Sequence, residues 1–250
     1  MNVATLKNAQ TPDGLPLPPL RVAITGGTSG LGLALVKEWT ARGARVAFVA
    51  RHAEHVQHVA AEHPGTYGIV GDISHKEEIY PIALQITGQL GGLDVLINNA
   101  SSLGSVPLAL LADTECEAVE AALATNLLGP FRLTKALLGA LASSAREGLG
   151  AVVLNVSSDA ALNPYPRWGA YGASKAALHH LSRIWNEELA TEGIRVLSAD
   201  PGDMDTPLHA LAVPDADRTS LKNPADAARE LTATIVAALP KRQFNTAARD

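Results

Sequence analysis

Short apolar runs alternate along the chain with longer stretches in which apolar residues recur every three or four positions. Short runs rich in β-branched residues are typical of strands, and the longer period predicts helices. The predicted strands are Val22–Thr25, Arg45–Ala50, Tyr67–Gly71, Asp94–Asn98, Ala151–Val156 and Arg195–Ala199. The predicted helices are Leu31–Arg42, Ala53–His63, Lys76–Gln89, Thr114–Ala145, Tyr171–Thr191 and Pro224–Leu239.

The predicted strands are nearly all apolar rather than alternating between apolar and polar residues. A strand of this kind is buried on both faces, as in a parallel sheet covered by helices. Strands that alternate with helices indicate an α/β protein. The pattern therefore predicts a single-domain, doubly wound parallel sheet of the Rossmann type, with helices on both faces.

The first twenty residues differ from the rest of the chain. They contain one lysine, no apolar run, and four prolines between Pro12 and Pro19. Prolines this close together disfavour helices and cannot complete a sheet ladder, so residues 1–20 are predicted to be a flexible leader. Residues 21–250 are predicted to form one catalytic domain. With neither a signal peptide nor a stretch long enough to span a bilayer, we expect a cytoplasmic protein.

Composition narrows the range of partners. The 250 residues carry a formal charge of −5, which gives no general attraction to nucleic acid or to anionic membranes. Cys116 is the single cysteine, so no disulfide framework forms within the chain. The expected partner is therefore a small-molecule substrate.

A glycine-rich turn joins the first predicted strand to the first predicted helix. Glycines allow the backbone to come close to a pyrophosphate, and the helix N-terminus attracts the negative charge. A glycine cluster in the first strand–helix unit of an α/β pattern predicts a dinucleotide site. The expected cofactor contacts in this turn are Gly26, Thr28, Ser29, Gly30, Leu31 and Gly32.

The end of the second strand indicates which dinucleotide binds. An acidic residue usually holds the adenine ribose here, but this strand ends in Ala50 and Arg51. A guanidinium can bind a 2′-phosphate, so NADP(H) is the preferred cofactor and NAD(H) the alternative. Asp72, followed by Ile73, is placed either to bind adenine or to cap the next helix.

A second group of residues predicts proton transfer. Tyr171 and Lys175 stand four residues apart and so share one face of a helix. The ammonium and a cationic nicotinamide would move the tyrosine pKa from about 10 towards neutrality. Ser158, at the end of the fifth strand, would hydrogen-bond the substrate oxygen. Asn126 would hold a water that links Lys175 to solvent.

These residues together resemble the common single-domain Tyr-x-x-x-Lys subgroup of the short-chain dehydrogenase/reductase family, from Arg21 to about Leu239. The resemblance implies hydride transfer to or from a nicotinamide ring. It also implies a catalytic tetrad and further cofactor contacts. The motifs that carry it are Thr25-Gly-x-x-x-Gly30-x-Gly32, Asn98-Asn99-Ala100, Asn126, Ser158, Tyr171-x-x-x-Lys175 and Pro201-Gly202.

The resemblance assigns individual roles. It implies that Lys175 binds the nicotinamide ribose and that Asn99 lies along the adenosine. Met204 and Thr206 would contact the carboxamide, beside Gly202. Relatives pair through the helices Thr114–Ala145 and Tyr171–Thr191, which implies a homodimer or homotetramer.

Two positions depart from the family pattern. Ser101 stands where glycine is usual, and Ser29 stands where NADP-preferring members often carry a basic residue. The second departure leaves Arg51 as the main argument for NADP(H).

We therefore expect an NADP(H)-dependent oxidoreductase that interconverts an alcohol and a ketone or aldehyde, with Tyr171 as proton donor and acceptor. One alternative is a non-catalytic dinucleotide-binding regulator, which would not need the tetrad. Another is a reductase of an imine or an activated carbon–carbon double bond, because the same hydride geometry serves those acceptors.

Substrate specificity is expected from loops at the carboxyl ends of the strands. These loops are Ser101–Asp113, Asp159–Ala170 and Asp203–Leu221. The third has no clear period beyond one turn and is predicted to act as a lid over the substrate. His52, His55 and His58 recur every three residues, but such a series drifts around a helix, so we expect a solvated face and no metal site.

Overall fold

The computed structural model describes residues 18–240 and contains one six-stranded sheet. All of its strand pairs are parallel, and the strand order is β3-β2-β1-β4-β5-β6. The strands are β1 (Arg21–Thr25), β2 (Arg45–Ala50), β3 (Thr66–Val70), β4 (Val95–Asn98), β5 (Ala151–Val156) and β6 (Ile194–Ala199). Each strand lies within one residue of its predicted bounds, and the doubly wound α/β fold is confirmed.

Helices connect the strands and cover both faces of the sheet. They are α1 (Gly30–Ala41), α2 (Ala53–Glu62), α3 (Ile79–Leu90), α4 (Cys116–Leu123), α5 (Gly129–Arg146), α6 (Gly169–Leu189), α7 (Pro207–Ala212) and α8 (Pro224–Ala238). A π-helical segment, Ala124–Leu128, joins α4 to α5.

Successive residues of the central strands point into two separate cores. Ile24 and Phe48 pack with Leu35 of α1 and Leu231 of α8 on one face. The strand residues that alternate with these side chains point into the other core, where they pack against α3, α5 and α6. Central strands therefore need apolar residues at every position, which explains their unbroken apolar sequences.

The two edge strands do not follow this rule. In β3, Val70 is half exposed, and in β6, Arg195 is exposed. An edge strand has only one neighbour and is incompletely covered by helices. The prediction that strands are buried on both faces is therefore wrong for β3 and β6.

The predicted helix Thr114–Ala145 is interrupted. Pro130 has no backbone N–H and cannot donate to the carbonyl of Asn126 one turn earlier, and its ring crowds that carbonyl. The chain widens into the π-helical segment before this proline, and the Gly129 N–H bonds to the Ala124 carbonyl. Such widened turns are frequent at functional sites, and here the segment carries a buried Asn126.

Residues 1–17 of the predicted leader, and residues 241–250, lie outside the described residues. Leu20, the last leader residue, is buried in the core, and its carbonyl accepts a hydrogen bond from the Arg45 N–H. The boundary of the predicted leader is therefore too late at this residue.

A buried carboxylate ties the first strand to the fourth. Asp94 is fully buried and accepts from the Arg21 backbone N–H at 2.7 Å and from Arg21 Nη2 at 2.8 Å. It also accepts from the Ser144 hydroxyl of α5. The carboxylate is thus paired with a charge and fully hydrogen-bonded, as burial requires.

We expect Asp94→Asn to lower the free energy of unfolding by about 3 kcal/mol, because it removes the buried charge partner of Arg21 and leaves, among the described ion pairs, only the longer contact, at 3.4 Å, to the exposed Glu147. The matched control is Asp226→Asn, which removes the half-exposed partner of Arg229 on α8 and is expected to cost less than about 1 kcal/mol. Urea unfolding of both variants measures the difference. Equal losses would contradict this account.

Candidate active site

A cavity of about 820 Å³ opens at the carboxyl ends of the central strands. It lies where the strand order reverses between β1 and β4, which is where open α/β sheets bind ligands. With the exception of Asn126, every site residue predicted from the sequence lines it: Gly26, Thr28, Ser29, Gly30, Leu31, Gly32, Arg51, Asp72, Ile73, Asn99, Ser158, Tyr171, Lys175, Gly202, Met204 and Thr206.

The glycine-rich turn is packed too closely for side chains. Gly26 has φ +70°, and a Cβ there would lie 2.9 Å from the Ala100 Cα. A Cβ on Gly32 would overlap the Gly26 carbonyl oxygen. The turn therefore presents backbone to the cavity, which suits close approach of a pyrophosphate.

The start of α1 supplies positive potential at this wall. Ser29 is the N-cap, and its side chain makes no capping hydrogen bond. The first turn of α1, all of which the structure describes, carries no acidic residue. No acidic side chain of that first turn therefore offsets the positive potential of the N-terminal N–H groups and the helix dipole at this wall.

Asn99 and Asp72 hold the loops around the expected adenosine end. The Asn99 side-chain amide donates to the carbonyls of Thr25 at 2.9 Å and Gly26 at 3.3 Å, which fixes the glycine-rich turn to the end of β4. Asp72 Oδ1 accepts from the Ser74 N–H at 2.8 Å, so one carboxylate oxygen caps a turn. Asp72 does not cap the next helix, because α3 begins only at Ile79 and its N-cap is Glu78. Adenine binding by Asp72 stays a prediction.

Two histidines that were not among the predicted site residues also line the cavity. Arg51 lines the cavity as expected, and His52 and His55 line it beside Arg51. Their rings meet edge to face with centroids 5.5 Å apart. All three histidines, His52, His55 and His58, are exposed, as expected for a solvated face, and His58 pairs with Glu62. The sequence feature that could have identified His52 and His55 as cavity residues is their position shortly after Arg51.

Three of the four predicted catalytic residues meet at the inner wall. Ser158 is the extended residue that follows β5, while Tyr171 and Lys175 lie one turn apart on α6. Lys175 Nζ lies 5.6 Å from the centroid of the Tyr171 ring. The Ser158 hydroxyl accepts from the Ala160 N–H and donates to Asp159 Oδ1, both at 3.2 Å, which fixes its orientation.

The phenol of Tyr171 is held in its protonated form. Burial raises its pKa above 10, and hydrogen bonding with the side chains of Ser158 and Ser101 acts in the opposite direction. Nearby carboxylates, Asp200 and Asp159, raise the pKa further. The protein groups alone raise this pKa, because burial outweighs the groups that favour the phenolate. The expected lowering involves a bound cationic nicotinamide as well and stays a prediction.

Lys175 is almost completely buried, and burial lowers its pKa to about 8, although Asp200 favours the ammonium. Its Nζ donates to the Val156 carbonyl at 2.8 Å. The ammonium is therefore held at the end of β5, with its remaining donors free of any described protein partner and close to the cavity.

Asn126 lies behind the cavity wall. Its Oδ1 accepts from the Ser102 N–H at 2.7 Å and the Ser101 hydroxyl at 3.2 Å. Its Nδ2 donates to the Ser102 carbonyl and, at 2.8 Å, to the Ser174 hydroxyl. These contacts place Asn126 against the loop after β4 and against α6, and none of them involves Lys175. Its role in a water relay stays a prediction.

All three predicted specificity loops contribute residues to the cavity wall, but not every residue of these loops lines it. Leu103, Tyr165, Trp168, Leu208 and Leu211 give the expected substrate end an apolar wall. The Tyr165 hydroxyl donates to Asp159 Oδ2 at 2.7 Å. Leu162, Pro164 and Arg167, which the same loops contain, do not line the cavity.

The segment after Met204 contains more regular structure than expected. Residues 207–212 form α7, whose Thr206 cap accepts from the His209 N–H at 3.2 Å. Arg218 holds Asp205 through two hydrogen bonds of 2.9 Å. The lid role of this segment stays a prediction. The segment was expected to show no regular structure beyond one turn, but it contains two short helical pieces.

Comparison with known proteins agrees with this geometry. A family model described as short chain dehydrogenase matches residues 21–217. The 2-(R)-hydroxypropyl-CoM dehydrogenase of Xanthobacter autotrophicus is 31% identical over 234 residues, which cover 91% of this chain and 87% of that protein.

Solved structures share the architecture. The 3-ketoacyl-(acyl-carrier-protein) reductase of Brucella melitensis, complexed with NADH, has a TM-score of 0.80 and 26% identity, covering 90% of this chain and 93% of that one. A short chain dehydrogenase of Burkholderia cenocepacia in complex with NADP has a TM-score of 0.77 and 25% identity, covering 86% and 90%. Within residues 18–240, no helix is long and apolar enough to cross a membrane.

The lowered pKa of Lys175 predicts how stability depends on pH. Between pH 8 and 10 the lysine is protonated when unfolded and mostly neutral when folded, so stability from this group rises with pH. Relative to Lys175→Met, the wild type should gain about 2–3 kcal/mol of unfolding free energy across this window. Parallel stability curves for the two proteins, measured by urea unfolding at each pH, would contradict the lowered pKa.

Proposed function

Because the chain belongs to the short-chain dehydrogenase family and is an NAD(P)-dependent oxidoreductase, we propose that it interconverts an alcohol and a ketone or aldehyde with NADP(H). The observation that most directly supports this proposal is that Tyr171, Ser158 and Lys175 line the same cavity as the glycine-rich turn and Arg51. The proposed proton-transfer group and the proposed dinucleotide cradle thus line one cavity.

The described residues fit a bound dinucleotide. The backbone of the glycine-rich turn and the start of α1 would hold the pyrophosphate, and Arg51 would hold the adenosine end. Lys175 would bind the nicotinamide ribose through the donors that Val156 does not occupy. When bound, the nicotinamide would supply or accept the hydride.

Ser158 and Tyr171 would handle the substrate oxygen. Ser158 lies on a rigid strand end, so its hydroxyl holds the carbonyl or alcohol oxygen in one place. Tyr171 would donate its proton to that oxygen in reduction and accept one in oxidation. A pKa raised by burial keeps the phenol protonated at neutral pH, which favours carbonyl reduction.

The apolar wall near Trp168 and Leu211 suits a carbon skeleton beside the reacting oxygen. We propose that the segment of residues 203–221 closes over this end and that the protein forms a homodimer or homotetramer in the cytoplasm. Exposed Leu128 beside α5 and Ile184 on α6 support pairing through these helices.

Tyr171→Phe removes the proton donor and keeps the ring. We expect kcat for a ketone or aldehyde acceptor to fall by about 10²- to 10⁴-fold while NADPH binding is retained. The matched control is Tyr80→Phe, the same change on an exposed residue of α3. NADPH oxidation is followed by absorbance and binding by fluorescence. Undiminished turnover in Tyr171→Phe refutes the assignment, and binding without turnover in the wild type favours a regulator.

Arg51→Ala tests the cofactor preference. We expect NADPH affinity to fall about tenfold or more, because a charge-assisted contact to the 2′-phosphate is lost, while NADH affinity changes little. Arg195→Ala, on the exposed edge strand, removes the same charge away from the cavity and serves as the control. Fluorescence titration with both nucleotides measures the ratio. Equal losses for NADPH and NADH would contradict a 2′-phosphate contact.

A further inference from the structure

Three nitrogen-bearing side chains line the cavity directly after β2. They are Arg51, His52 and His55. His52 is the N-cap of α2, and His55 lies three residues later, in the first turn of that helix. The two imidazole rings meet edge to face with centroids 5.5 Å apart, so both lie on the same side of the helix start. We term these three residues the β2-end cluster.

The donors of this cluster are not used within the described part of the chain. Among residues 18–240, no hydrogen bond or ion pair engages the side chain of Arg51, His52 or His55. The His52 side chain makes no capping hydrogen bond, so it leaves the first N–H groups of α2 without a side-chain acceptor. The cluster therefore presents a guanidinium, two imidazoles and a helix N-terminus to an occupant of the cavity.

The charges around the cluster leave it with a positive excess. On α2, Glu54 and the pair of His58 with Glu62 are exposed and do not line the cavity. Asp72, after β3, does line it. The remaining carboxylates of the cavity wall follow β5 and β6, beyond the strand reversal: Asp159, Asp200 and Asp203. With both imidazoles protonated, the cluster sets three positive charges against one nearby carboxylate, which fits a dianion.

A phosphate monoester has the chemistry that this cluster would recognise. It carries close to two negative charges at neutral pH and offers three acceptor oxygens, so one guanidinium leaves acceptor positions for further donors. Histidine side chains change charge between about pH 5 and pH 8. A hydrogen bond from imidazole to phosphate is therefore charge-assisted, and stronger, towards the acidic end of this range.

We propose that His52 and His55 complete, with Arg51, a site for the 2′-phosphate of NADP(H), and that their protonation strengthens the preference for NADP(H) over NAD(H) as the pH falls towards about 6.5. The inference rests on the proposed function for the presence of a dinucleotide with its adenosine end at Arg51. It gives a ligand to two residues for which the sequence predicted only a solvated face.

The first test measures NADPH and NADH affinities of the full chain by fluorescence at about pH 6.5 and about pH 8.5. We expect the ratio of NADPH affinity to NADH affinity in the wild type to be about three- to tenfold higher at the lower pH. His52→Gln and His55→Gln should each reduce this increase, and the double variant should abolish it, because glutamine donates without gaining charge.

The matched control is His58→Gln, the same change on an exposed residue of α2 that does not line the cavity. It should keep the wild-type increase. The 2′-phosphate gains its own proton mainly below about pH 6, and it does so equally in every variant. A double variant that retains the wild-type increase, or an equal loss in His58→Gln, overturns the proposal.

A second test separates the 2′-phosphate from other anions. Adenosine 2′,5′-bisphosphate and adenosine 5′-monophosphate differ by that phosphate alone, and each is titrated against bound NADPH at about pH 6.5. We expect the double histidine variant to lose about tenfold in affinity for the bisphosphate and little for the monophosphate. Equal losses overturn the proposal. Inorganic phosphate that competes as well as the bisphosphate indicates a general anion site and also overturns it.

This inference and the proposed function can fail separately. If the wild type turns over no carbonyl or alcohol but shows the histidine-dependent preference for NADPH, the proposed catalysis fails and the inference stands. If Arg51→Ala abolishes a preference that the double histidine variant keeps at both pH values, the inference alone fails. A wild type that binds NADPH no more tightly than NADH overturns both the proposed cofactor preference and the inference.

Discussion

The reversal of strand order between β1 and β4 is the constraint on which the site depends. The two strands are neighbours in the sheet, with Ile24 opposite Ile97, but their following loops diverge to opposite faces. The gap between those loops is the cavity. Asn99 keeps the gap in shape, because its amide bonds to the carbonyls of Thr25 and Gly26 across the reversal. The glycine-rich turn and the end of β4 are thus held together by hydrogen bonds from one side chain to two backbone carbonyls.

Burial then sets the chemistry of this cavity. Lys175 is almost fully buried with a pKa of about 8, and Tyr171 is mostly buried with a raised pKa. Each shift favours the uncharged form, so the ionisation of either group depends on a few nearby donors and charges. Hydrogen bonding with the side chains of Ser158 and Ser101 acts in the opposite direction on Tyr171 and favours its phenolate.

The fold was largely predictable because its main signal is local. The central strands and most helices follow from hydrophobic period, and the strand bounds agree within one residue. The failures have physical causes. Val70 is half exposed because β3 lies at the edge of the sheet. Pro130 follows a widened, π-helical turn in the helix that carries Asn126. The sequence contained that proline, but only the backbone shows that the helix continues through a π-helical turn.

The sequence by itself determined the elements, the glycine-rich turn and the candidates Ser158, Tyr171 and Lys175, because these depend on period and spacing along the chain. The tertiary structure decided what depends on distance across the chain. It placed Asn126 against the Ser101 hydroxyl, brought His52 and His55 to the cavity, and buried Tyr171, which raises the pKa of its phenol. Desolvation and long-range hydrogen bonds arise only when separate segments pack together, so spacing could not reveal them.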